Sequence, residues 1–338
     1  MEDKNISTVP IESLGEGIYR LIVPLPWAKP GFVNVYLIED QNEFIMIDCG
    51  VAGDTEFNVL TSALNELGLV WSNIKVLIGT HLHTDHIGLS QKIREEGVLL
   101  GLYENSVEHI EKYNDWKLRF KDLANYSRRE GAPKEFLQDM KDIETPKFAG
   151  TLSTPDILIK DGKSPDKTTE GRLQAIFTPG HDASEVSFID NKSKILFSGD
   201  HILPKITPFV PVENEDSNTL DDFLKSLEKA LPFEKTIIAP GHGDIIQEPN
   251  KRIEQMILHH KKRLERVLKL LSEESFTGWE MCNKLFPERL DIMNRRLALQ
   301  ETLSHLLYLK NKGKVIHQTD GEYFLSVSYT HLTLPTKA

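Results

Sequence analysis

The chain has 338 residues, 39 % hydrophobic and 27 % charged, enough apolar material for a sizeable core and too much for wholesale disorder. Net charge is −11: residues 1–250 carry 25 basic and 41 acidic side chains, residues 251–326 carry 14 and 10, so the larger part is a poor partner for a phosphate backbone. Two cysteines, Cys49 and Cys282, cannot build a disulfide framework, no apolar run reaches membrane-spanning length, and Met1–Pro10 holds no secretory h-region, so a cytoplasmic protein without membrane partners is expected.

Gly17–Val23 and Val33–Ile38 are β-rich runs split by the turn-rich Pro24–Gly31. Phe44–Ile47 is a continuous apolar strand that ends at Asp48-Cys49-Gly50. Asp54 is the expected N-cap of a helix in which Leu60, Leu64 and Leu67 recur at helical spacing, with Gly68 as its stop. Strand Lys75–Thr80, helix His86–Glu96 and strand Val98–Tyr103 follow. Residues 104–148 read as a charged helical insertion carrying Tyr113, Trp116, Phe120 and Tyr126, divided by Gly131-Ala132-Pro133. Strands return at Leu173–Phe177, Glu185–Ile189, Lys194–Phe197 and Thr236–Ile238, with a helix at Asp221–Leu231. From Asn250 a long helix reaches Leu271. Helices Gly278–Leu285 and Arg295–Lys312 come next, then a hairpin of Lys314–Ile316 and Tyr323–Leu325 around Asp320-Gly321. The pattern predicts an α+β body over residues 1–250 and a module over 251–326. Residues 327–338 resemble a translated sequencing-library adapter and are expected to be a non-native tail.

The densest chemistry lies in Thr80-His81-Leu82-His83-Thr84-Asp85-His86, where a strand ends and a helix begins. His81 and His83 share one face of an extended backbone, and Asp85 and His86 follow the turn. Three imidazoles and a carboxylate in six residues suit a first-row transition metal, with zinc the leading candidate. Three further apolar strands run straight into polar turns: Thr178-Pro179-Gly180-His181-Asp182, Ser198-Gly199-Asp200-His201 and Pro240-Gly241-His242-Gly243. Each delivers a histidine or aspartate at a strand end, and the glycines allow close backbone approach.

This motif order, HxHxDH and then GH, GD and GH, resembles the metallo-β-lactamase-fold hydrolases over about residues 15–245. The resemblance implies a four-layered αβ/βα sandwich with two divalent ions at one edge, zinc first and manganese or iron as alternatives. One ion would be held by His81, His83 and His181, the other by Asp85, His86 and His242, with Asp200 bridging them. Asp48 would fix the loop behind the ligands. The implied chemistry is hydrolysis by a water ionised between the two cations, with Asp85 orienting it and Asp200 as the second catalytic carboxylate.

Departures within the family narrow the substrate. Asp200 is unlike zinc β-lactamases with this motif, His83 stands where flavodiiron proteins have Glu, and Thr84 stands where zinc tRNA-processing nucleases have Gly. Glyoxalase-II-type thioesterases and lactonases keep the full ligand set and the bridging acid, so a small-molecule ester, thioester or lactone is expected. Tyr113, Trp116 and Phe120 share one helical face and admit two readings, simple packing or an apolar acyl pocket. Residues 251–326 resemble the winged-helix appendage of some of these hydrolases. Arg295, Arg296 and Lys310 would make it a nucleic-acid reader, and crowded leucines would make it a packing or homodimerisation module. A phosphodiesterase or endoribonuclease is thus the alternative enzyme, and a ligand-sensing winged-helix protein the non-enzymatic one.

Overall fold

A computed structural model of the chain describes residues 9–141, 150–165, 171–212, 214–231 and 237–328, apart from the side chains of Trp116, Arg119, Phe120 and Lys141. The chain divides into two compact units: Met1–Asn114, Thr145–Pro208 and Lys229–Ile253 form the first, and Asp115–Glu144, Phe209–Glu228 and Glu254–Ala338 the second.

The first unit is a sandwich of two mixed sheets. Strands β1 (Ile11–Gly15), β2 (Ile18–Pro24), β3 (Phe32–Asp40), β4 (Glu43–Ile47), β5 (Ile74–Ile78), β6 (Leu99–Tyr103) and β7 (Ile157–Ile159) lie side by side in chain order, antiparallel as far as β4 and parallel from there. The smaller sheet has the order β11 (Ile237–Pro240), β10 (Ile195–Gly199), β9 (Val186–Asp190), β8 (Leu173–Phe177). Two-residue periodicity assigns the faces. Tyr36, Ile38, Ile45, Ile47, Val76 and Ile78 turn inward onto Ala175, Phe188, Ile195 and Phe197 of the smaller sheet. Their alternates Val35, Leu37, Met46 and Leu77 join Leu60, Leu64 and Ile93 of helices α1 (Asp54–Glu66) and α3 (Ser90–Glu95) on the outer face.

Three local expectations need correction. Gly53, at φ 154°, occupies the N-cap of α1 rather than Asp54; Asp54 opens the first turn, where its charge suits the helix dipole and pairs with Lys92. The single helix expected over His86–Glu96 is two, α2 (Thr84–Ile87) and α3, separated by Gly88-Leu89. A Cβ on Gly88 would stand 2.5 Å from Ala52 N and from Thr84 O, so the backbone there packs too closely for any side chain. Strands β1 and β7 were not expected; β1 is polar and half-exposed, and β7 has only three residues.

The second unit joins the insertion to the C-terminal helices. Tyr126 of α5 (Trp116–Arg129) and Phe136, Leu137 and Met140 of α6 (Lys134–Lys141) share one core with Val267, Leu271, Met281, Leu299, Leu303 and Leu306. Those last residues come from α8 (Pro249–Leu271), α9 (Gly278–Leu285) and α10 (Ile292–Asn311). The remaining short helix of the insertion, α4 (Ile110–Asn114), falls in the first unit, and α7 (Thr219–Ala230) lies in the second up to Glu228. A capping box starts α9: Thr277 accepts from Glu280 N, and Glu280 Oε2 accepts from Thr277 N. Asp291 caps α10, which begins three residues before the expected Arg295. A hairpin of β12 (Val315–Asp320) and β13 (Tyr323–Ser328) ends the described chain. Val327 and Ser328, the first residues of the expected tail, pair with Ile316 and Val315; residues 329–338 lie outside the described residues. No helix among the described residues is long and apolar enough to cross a membrane.

Candidate metal centre

Strands β4 and β5 run parallel, and so do β8, β10 and β11, because β9 reverses between β8 and β10. The polar turns that follow these five strands hold Asp48, His81, His83, Asp85, His86, His181, Asp200 and His242, and these side chains gather at a single site. Three overlapping groups place their ligand atoms within 4.8 Å of one another: His81, His83 and His181; Asp85, His86 and His242; and His81, His86 and Asp200. Asp200 lies between the first two groups. Its Oδ1 is 3.6 Å from His86 Nε2, and its Oδ2 is 3.5 Å from His242 Nε2 and 3.8 Å from His181 Nε2.

Hydrogen bonds on the far side of the rings fix which nitrogen faces the site. Asp48 Oδ2 lies 2.7 Å from His86 Nδ1, and the Phe32 carbonyl lies 2.6 Å from His242 Nδ1. Each contact requires a proton on Nδ1, which leaves both Nε2 lone pairs facing each other 3.3 Å apart. Thr80 extends the scheme to His81. Its hydroxyl donates to Asp48 Oδ2 at 2.9 Å and so accepts from His81 Nδ1 at 3.0 Å. His81 Nε2 and Asp200 Oδ1 are then buried with no hydrogen-bond partner. Lone pairs that converge in a buried site need a proton or a cation among them. The imidazole and carboxylate donor set fits a divalent transition metal.

The electrostatics mark a site that draws positive charge. Burial and the surrounding imidazoles of His86, His83 and His181 push His81 well below the ordinary histidine range. Burial also opposes charge on His86, but the Asp48 and Asp200 carboxylates outweigh it and raise that imidazole to about 10. Burial would raise Asp200, yet His242, His86 and His181 hold it below the usual carboxylate range, and histidines do the same for Asp85.

Residues 28–242 match the Metallo-beta-lactamase superfamily. The chain belongs to that superfamily. Residues 264–325 match the metallo-beta-lactamase-like C-terminal domain. The chain is 26 % identical over 313 residues to the "Probable metallo-hydrolase YqjP" of Bacillus subtilis, covering 90 % of this chain and 96 % of the other. It is 27 % identical over 282 residues to the "Beta-lactamase-like protein 2 homolog" of Caenorhabditis elegans, covering 82 % and 79 %. Among solved structures, a metallo-beta-lactamase family protein of Thermus thermophilus superposes with TM-score 0.75 at 28 % identity, covering 94 % of this chain and all of that one.

Metallo-beta-lactamase membership makes the remaining residues around the site informative. Asp182, left without a role by its sequence, braces the turn after His181 by accepting from Ser184 N and Oγ at 2.7 and 2.6 Å. His201 is fully buried beside Asp200. Tyr113 packs at the edge of the first unit's outer core, and Tyr126 belongs to the second unit's core; the side chains of Trp116 and Phe120 are outside the described set. Sequence reasoning assigned no role to Thr80, although it adjoins the motif, nor to Glu185. Burial, with Asp200 and Asp182 nearby, pushes the Glu185 carboxyl well above the usual carboxylate range. A fourth group, His260, Glu301 and His305, lies in the second unit. Most of its atoms are engaged by hydrogen bonds: His305 Nδ1 donates to the Glu301 carbonyl at 2.6 Å, His260 Nδ1 donates to His305 Nε2 at 3.2 Å, and the Glu301 carboxylate binds Arg263 and Val210 N, while His260 Nε2 is buried with no hydrogen-bond partner.

Proposed function

We propose that the chain is a dinuclear metal-dependent hydrolase of a small acyl substrate, an ester, thioester or lactone, with zinc as the first candidate ion. The observation that carries this reading is the convergence of the His81, His86 and His242 Nε2 lone pairs, all set by bonds at Nδ1, on the shared carboxylate of Asp200. His81, His83 and His181 would hold one ion and Asp85, His86 and His242 the other. When bound, the ions supply ionisation of water and polarisation of the scissile carbonyl. Asp200 keeps the two groups at a fixed separation. Asp85, with its Oδ2 3.3 Å from His242 Nε2, is partly exposed and can orient an incoming water with its other oxygen. Thioester hydrolysis gains support from a fungal relative, the atrochrysone carboxyl ACP thioesterase of Aspergillus fumigatus, 31 % identical over 96 residues.

The C-terminal helices and hairpin follow the order of a winged helix. Arg295, on the helix that would read nucleic acid, is buried and bonds Asn283 Oδ1 and the Pro287 and Glu288 carbonyls, which supports a packing role for it. The test is metal analysis of the purified chain, then a panel of thioester, lactone, nitrophenyl ester and phosphodiester substrates. Acyl turnover that disappears in His83→Ala and Asp200→Ala is expected. Phosphodiester turnover exceeding every acyl substrate would overturn the reading.

A further inference from the structure

Arg20 stands alone as a charged residue in the apolar strand β2, and it is only 3 % exposed; Asn34 on β3 is fully buried. A guanidinium and an amide inside a core are costly unless every donor is used. Here the donors converge on one turn. Asn34 Nδ2 donates to the carbonyls of Pro240 and Gly243, both at 2.9 Å, and Asn34 N donates to Gly241 O at 2.7 Å. Arg20 Nη2 donates to Gly243 O at 2.7 Å, and its Nε holds Asn34 Oδ1 at 3.0 Å. Tyr36 Oη donates to Pro240 O at 2.7 Å. Arg20 Nη1 closes the network on Glu12 at 2.8 Å.

We infer that Arg20, Asn34 and Tyr36 are positioning residues that orient the Pro240–Gly243 turn so that His242 presents Nε2 to the second metal group. The inference rests on the dinuclear reading above. Apolar contact would tie the two sheets together equally well. Hydrogen bonds to the carbonyls of Pro240, Gly241 and Gly243 do more, because they fix the two peptide planes that lead into His242 and the Gly243–Asp244 plane that follows its turn. The same turn also donates Gly241 N to Gly199 O at 2.7 Å, next to Asp200, so its placement bears on the shared carboxylate. Lysine cannot replace Arg20, since a single ammonium cannot reach Asn34 and Gly243 with a planar fork.

The test measures zinc affinity of the full chain by chelator competition, with thermal stability alongside. Arg20→Met and Asn34→Ala are expected to weaken the ion assigned to Asp85, His86 and His242 by roughly 10–100-fold and to affect the other less. Tyr36→Phe, which removes a single hydroxyl and keeps the ring, is expected to weaken the same ion to a smaller extent and covers the case in which the larger changes prevent folding. Leu64→Ala, in the outer core, is expected to lower stability with both affinities unchanged. Wild-type affinity for both ions in Arg20→Met, Asn34→Ala and Tyr36→Phe would overturn the inference and leave a structural staple. A wild-type chain that binds no second ion would overturn the dinuclear reading itself.

Discussion

Asp48 and His86 are joined side chain to side chain at 2.7 Å with almost no exposure of either. The same carboxylate receives Thr80 N at 2.8 Å and the Thr80 hydroxyl, so it sets the tautomer of one imidazole directly and of His81 through the threonine. Asp48 has φ 60°, a conformation that asparagine tolerates as well as aspartate. Asp48→Asn therefore changes the chemistry without straining the backbone. The amide removes the acceptor that keeps the His86 proton on Nδ1, and metal affinity should fall roughly 10–100-fold. Metal content after dialysis against a weak chelator measures this, and full retention would contradict the assigned role.

Gly241 is a second sensitive point. A Cβ there would stand 2.5 Å from Asp200 Oδ1 and 2.6 Å from His86 Cε1. Gly241→Ala must therefore displace two of the candidate ligands at once. Loss of bound metal and of hydrolysis is expected, with the far-ultraviolet dichroism of the wild type retained. An alanine variant with normal metal content would show that the turn has room to move.

In the second unit, burial pushes the Glu130 carboxyl up to about 7 from 4.5, and burial with Lys310 lowers the facing His317, 3.9 Å away, to about 4 from 6.5. The signs oppose. Between pH 4.5 and 7 the folded chain holds a proton on Glu130 that the unfolded chain has lost, so this group lowers stability as pH rises, by on the order of 3 kcal/mol at most. Between pH 4 and 6.5 the unfolded chain binds a proton at His317 that the folded chain refuses, so that group raises stability with pH. Glu130→Gln removes the first effect. Relative to wild type, the variant should gain stability progressively from pH 5 to 8 in denaturant titrations. A difference that stays constant across that range would refute the raised carboxyl.

Deleting residues 251–326 is expected to be far from innocuous. Tyr126, Phe136, Leu137 and Met140 would lose the helices with which they share a core. Low soluble yield and dye binding to exposed apolar surface should result. A monomeric, soluble truncated chain with wild-type metal content would mean that the insertion is stable without its C-terminal neighbours.

The sequence was readable where a strand is sandwiched between two apolar layers. Strands such as β4, β5 and β10 must then be largely hydrophobic, and each ends at a turn whose residues have no apolar work to do. The histidines and aspartates of the site were visible for that reason. Arg20 and Asn34 were not, because the turn they bind lies more than 200 positions away and nothing local points to it. The insertion's destination was equally hidden. Aromatic residues at helical spacing look the same whether they line a pocket or fill a core, and only the structure places Tyr126 in the second unit.

Tyr36 belongs to two worlds: its ring meets Phe197 edge-on at 5.0 Å in the layer between the sheets, while its hydroxyl grips Pro240. The filling of that layer is therefore a spacer for the reactive edge. Bulkier or slimmer hydrocarbon at Phe197 would shift the ligands carried by one sheet against those carried by the other without touching any of them. Lineages of this architecture thus have a tuning dial buried in oil, remote from every group that does chemistry.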